Sequence, residues 1–163
     1  MAKDILLTLT EPGVFDLVTQ GHDLAGDGSF GTAVLISLFT DARAQADELP
    51  PEWQDPRGWW ADALLAENGG DALGVGSKLW LLSREKQTEA VMARAEDYAR
   101  QALQWLIDDG HAAAVDVRVD NPENGVLALG IEITHRSPQG LQSFTDRWTV
   151  TLDGSRITMK RAA

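Results

Sequence analysis

At 163 residues, with 44% hydrophobic and 24% charged side chains, the chain has the size and composition of one domain with a buried core. It contains no cysteine, which excludes disulfides and removes the thiolate ligands of structural zinc sites. The net charge of −11 is uneven: residues 1–74 carry 13 acids and 3 bases, residues 75–163 carry 12 and 11, and such an acidic lobe repels phosphate backbones.

In chain order, Ile5 to Thr10 and Phe15 to Thr19 flank Pro12-Gly13 and predict two short strands or a loose hairpin. Residues 20–31, QGHDLAGDGSFG, are expected to form a flexible loop rich in glycine and aspartate. Thr32 to Ala44 fits a helical stripe through Val34, Leu35, Leu38, Phe39 and Ala42, and a short helix is expected there. Pro50, Pro51 and Pro56 make residues 45–57 a loop. Ser77 is placed to cap a second short helix carrying Leu79, Trp80 and Leu82.

The most strongly patterned segment is a helix from about Glu89 to Asp109, capped by Thr88 and stopped by Gly110. Val91, Met92, Ala95, Tyr98, Ala99, Ala102, Trp105 and Leu106 form its expected buried stripe. Beyond it the period changes to two. Val115, Val117 and Val119 alternate with polar residues, and so do Leu127, Leu129, Ile131 and Ile133 after the turn DNPENG. Phe144, Trp148, Val150 and Leu152 predict a third strand. A two-residue hairpin at Asp153-Gly154 would pair Leu152 with Ser155, Val150 with Ile157 and Trp148 with Met159. The expected fold class is therefore α+β: an antiparallel β meander packed on one long helix, plus one or two short helices. One domain spans 1–163, with strands and loop in 1–31, short helices and a Trp-rich loop in 32–87, the long helix in 88–110 and the antiparallel strands in 113–161.

Catalytic chemistry finds little purchase. Gly26-Asp27-Gly28-Ser29-Phe30-Gly31 matches G-x-G-x-x-G, but no strand leads directly into it and Asp23 and Asp27 would face a pyrophosphate. His22, His111 and His135 are too far apart for ligand spacing, and there is no G-x-S-x-G elbow. Adjacent acids such as Asp108-Asp109 and Asp47-Glu48 arise freely among 25 acids, and a hydrolase using distant carboxylates is the weakest alternative. No catalytic, cofactor-binding or metal-ligating residue is expected. The N-terminus shows no basic-then-apolar signal pattern and no apolar run approaches about 20 residues, so neither secretion nor membrane insertion is expected.

Tryptophan is the unusual feature. Three of the six lie between Gly58 and Gln87: Trp59, Trp60 and Trp80. They are buried either in the chain's own core or against another protein. Helical and strand phase place Trp105 and Trp148 in the core. Trp59 and Trp60 are adjacent and cannot both point inward from regular structure, so one of them is a candidate for exposure. Arg84 and Lys86, just after Trp80, either rim an aromatic contact patch or lie on a solvated face.

The runs AVLISLFTD (33–41), RGWWAD (57–62), GSKLWLLSREKQT (76–88) and ALQWLIDDG (102–110) resemble the baseplate protein family of Mu-like contractile-tailed phages. The resemblance covers most of the chain. It implies a structural wedge subunit that contacts a larger wedge protein and offers β-edges to the first ring of the tail sheath. On that resemblance the interaction residues are Trp59, Trp60, Trp80, Arg84, Lys86 and Arg156, the last helping to keep the terminal strand from indiscriminate pairing. Nucleic acid and membrane are not expected partners, and self-association is left open. The expected location is the host cytoplasm during assembly and the tail baseplate of the virion. The rival reading, from the acidic lobe alone, is an inhibitor that mimics nucleic acid.

Overall fold

A computed structural model describes residues 4–11, 14–67, 74–152 and 157–161. The N-terminal arm is built of short antiparallel pieces: β1 (Asp4–Ile5), β2 (Leu7–Glu11), β3 (Val14–Leu17), β4 (Thr19–Gln20), β5 (Asp23–Leu24) and β6 (Gly26–Asp27). β2 pairs with β3, as the expected hairpin requires, while β4 pairs with β5 and β1 with β6. Backbone bonds from Leu6 to Ala25, Ala25 to Val18 and Val18 to Leu6 tie these pieces together.

The segment expected to be a flexible loop is therefore ordered, and Asp27 explains why. Helix α1 (Gly31–Phe39) begins with backbone donors that have no partner within the helix. Asp27 is buried and accepts from Thr32 N–H at 2.8 Å, from Ser29 N–H at 2.8 Å and from Ser29 Oγ at 2.7 Å. The carboxylate thus occupies the helix N-terminus, the position that phosphate takes in nucleotide-binding glycine loops. Burial raises the Asp27 pKa, but hydrogen bonds from Thr32 and Ser29 outweigh it and hold the carboxyl below its ordinary 3.8. A group with a depressed folded pKa stabilises the fold above its unfolded pKa, and that contribution disappears as pH falls through the folded value. Asp27→Ala is expected to lose about 1–2 kcal/mol at neutral pH. It is also expected to flatten the decline in stability below about pH 4. Urea titrations from neutral to acid pH check both; equal acid sensitivity in the two proteins would remove Asp27 from this role.

Helix α2 (Trp60–Glu67) and a 3₁₀ turn at Leu79–Leu82 follow. Ser77 sits just before that turn: its hydroxyl donates to Leu38 O and accepts from Leu79 N–H. Helix α3 (Glu89–Leu103) is capped by Thr88, whose hydroxyl accepts from Val91 N–H. The expected single helix is split, because Gln104 N–H bonds to Gln101 O and α4 (Trp105–Asp108) follows. The buried line is Val91, Ala95, Ala99, Leu103 and Leu106. Leu103, absent from the expected stripe, belongs to it and is fully buried. Tyr98, Ala102 and Trp105 form the flanking row, spaced by four and three residues, so Trp105 is 39% exposed where a core position was expected.

The remaining strands are β7 (Ala114–Glu123), β8 (Val126–Ser137), β9 (Gly140–Leu152) and β10 (Ile157–Arg161), in the sheet order β10-β9-β8-β7. This is the expected meander, and α3 packs on β7. Leu127, Leu129 and Ile133 lie opposite Val150, Trp148 and Phe144 on the core face, with Val117 opposite Ile131. β7 runs further than expected: it continues through a register shift between Asp120 and Glu123 before turning. The last hairpin also differs. Ile157 pairs with Leu152, Met159 with Val150 and Arg161 with Trp148, two residues out from the expected register. A slip of two preserves which face each residue occupies, so the alternation alone could not distinguish the two registers.

Candidate interaction surface

The proline-rich loop is folded around Trp80. This ring stacks on Trp53 with centroids 5.6 Å apart and planes 11° apart. The Arg57 guanidinium lies 4.6 Å from the Trp80 ring centroid, and Arg84 lies 5.3 Å from that of Trp53. Two arginines thus bracket two stacked indoles, an arrangement favoured by the negative faces of the rings. The Trp80 indole N–H donates to Ala42 O at 2.9 Å, and Arg57 pairs with Asp41 at 2.7 Å.

Backbone conformation makes this possible. Arg57 has φ 51° and Gly58 φ 108°, two successive residues in the left-handed region. They turn the chain from the Arg57–Trp80 contact directly into Trp59 and the start of α2. A Cβ at Gly58 would come within 2.8 Å of Arg43 Cβ, so close approach as well as conformation calls for glycine. Nearby, Lys78 Nζ pairs with Glu48 at 2.6 Å. Burial raises the Glu48 pKa, but the Lys78 ammonium and the Gln45 N–H hold it below its usual value.

The expected interaction residues separate on this geometry. Trp60 is 69% exposed, more than any other large apolar side chain among the described residues, while Trp59 is half-buried beside it with ring centroids 5.7 Å apart. Trp80 departs from the expectation: only 2% is exposed, so it supports the surface from beneath. Its burial follows from the stack, the indole hydrogen bond and the arginine above it. Arg84 and Lys86 are exposed, and Arg84 belongs to the aromatic bracket. Arg156 lies outside the described residues. Trp53 was not anticipated as part of the surface. An indole amid three prolines was its only signal, and its partner lies 27 residues away.

The three histidines are dispersed: His22 and His111 are exposed, and His135 packs edge-on against Phe30. Among the described residues, no three His, Cys, Asp or Glu side chains gather into a metal-holding group, and no helix is long and apolar enough to cross a membrane.

The profile of a family described as Phage protein GP46 matches residues 30–142. The chain is 43% identical over 120 residues to the baseplate protein gp46 of Escherichia phage Mu, covering 73% of this chain and 79% of that protein. It is 44% identical over 129 residues to the Mu-like prophage FluMu protein gp46 of Haemophilus influenzae, covering 79% and 84%. No solved structure matches the chain significantly.

Proposed function

We propose a structural role in a phage tail baseplate for this chain, which belongs to the GP46 family of phage proteins. The observation that carries the role is the 43% identity to a protein named for the baseplate of phage Mu. In this reading the chain is a non-enzymatic wedge subunit that holds neighbouring baseplate proteins, contacts a larger wedge protein and helps to start the tail sheath. It is assembled in the host cytoplasm and remains in the virion tail. Its chemistry is recognition: a rigid aromatic side chain projects from a surface braced by the Trp53–Trp80 stack. Tryptophan and arginine are the residues most enriched at interface hot spots. Strand addition from the sheath has two outer strands to use, β7 and β10, although β2 already lies close to β10.

Trp60→Ala tests this. Because Trp60 is exposed, its removal is expected to change stability by less than about 0.5 kcal/mol. Association with the other baseplate proteins is expected to weaken by at least about 2 kcal/mol, the scale of a hot-spot residue. Size-exclusion chromatography after co-expression with the adjacent tail proteins reads the result. Normal co-elution of the variant would move the contact away from Trp60.

A further inference from the structure

We infer that the groove between α1 and the α3–α4 junction is a second docking site, and that it takes a basic segment of another baseplate protein with an apolar side chain at its centre. The inference rests on the baseplate reading but uses none of the residues assigned above. The groove has a volume of about 580 Å³. Ile36, 40% exposed, and Trp105 stand in its lining, and the small residues Ala33 and Ala102 leave room between them.

Trp105 is set up for contact. Its indole N–H donates to Ser37 Oγ at 3.0 Å, and His111 meets its ring edge-on with centroids 5.7 Å apart. The polar atom is therefore satisfied and the ring is held, while 39% of the residue stays exposed. A ring immobilised in advance loses little entropy when a partner covers it.

Charge selects the occupant. Asp4, Asp108 and Asp109 line the groove, and among the described residues that line it none is Lys, Arg or His. Lysine or arginine beside the inserted side chain would meet these acids, and arginine would also stack on the indole. A second copy of this chain is a poor occupant, since each copy carries a net charge of −11. The groove is thus suited to a partner of opposite charge.

The experiment places the photo-crosslinking residue p-benzoylphenylalanine at Ile36 in one full-length chain and at Trp60 in another. Baseplates assembled from each are irradiated, and the cross-linked peptides are sequenced by mass spectrometry. The inference expects the Ile36 position to capture a peptide of a different baseplate protein, rich in Lys and Arg around an apolar residue. Charge reversal by Asp108→Lys with Asp109→Lys is expected to reduce that capture about tenfold at low salt. The unfolding temperature should be unchanged, because positive charge suits a helix C-terminus. Capture of an acidic peptide, of another copy of this chain, or of nothing would overturn the inference. Cross-linking from Trp60 but not from Ile36 would overturn it alone. Absence of the unsubstituted chain from the same baseplates would overturn the baseplate reading and this inference together.

Discussion

Trp80→Ala is expected to destabilise the fold by about 3–5 kcal/mol, the range for removing a fully buried aromatic side chain. The substitution removes the stack on Trp53, the surface over which Arg57 lies and the hydrogen bond to Ala42 O. Ala42 O would then lack its indole donor, and Trp53 would face a cavity. Trp80→Phe keeps a ring in place but not the N–H, and about 1–2 kcal/mol of loss is expected. Chemical denaturation with unchanged slope measures both. A loss below about 1 kcal/mol for the alanine variant would mean that the indole is not the support described. The contrast with Trp60→Ala matters for function. One tryptophan of the same stretch builds the surface, and the other is proposed to be used by it.

The second large effect is expected at Gly76→Ala. Gly76 has φ 104°, and a Cβ there would sit 2.3 Å from Thr40 O. The neighbour is backbone, so it cannot swing aside as a flexible side chain would. Strain at such a φ costs about 1–3 kcal/mol, and overpacking adds a similar amount. The clash falls on a junction that carries much of the surface. Ser77 N–H bonds to Thr40 O and Ala42 N–H to Ser77 O, joining the end of α1 to the segment that delivers Trp80. A loss of about 3–5 kcal/mol is therefore expected. Gly110→Ala is the internal comparison. Its φ is 73°, but no atom lies within 4 Å of an added Cβ, so only conformational strain of about 1 kcal/mol is expected. Equal losses for the two variants in thermal unfolding would remove the close approach as the cause.

What the sequence made legible follows from periodicity. The four-residue spacing through Val91, Ala95 and Ala99 identified α3, and the two-residue alternation through Val117, Leu129 and Ile131 identified the sheet. Parity placed Trp148 on the core face even though the final hairpin register was two residues out. Three features lay beyond such patterns. The Asp27 cap looked like loop composition, because Asp and Gly also mark turns and its bond to Thr32 spans five residues. Trp105 sat within a stripe drawn wide enough to include a flanking row; in the structure it follows the break at Gln104, donates to Ser37 and stays 39% exposed. The Trp53–Trp80 stack depends on the left-handed turn at Arg57-Gly58, which one-dimensional phase does not carry. The family resemblance, by contrast, was readable from GWWAD and GSKLWLLSREKQT directly, and the profile match over residues 30–142 agrees with it.

The role as a baseplate component is tested most directly by quantitative mass spectrometry of tail particles purified from the phage or prophage that encodes the chain. The account predicts that this chain is present in a fixed ratio to the other baseplate proteins, and that the ratio survives washing at high salt. Its absence from the particles, with recovery instead on a host nuclease or DNA-binding protein, would contradict the account and favour an inhibitor that presents the acidic lobe as a nucleic-acid mimic.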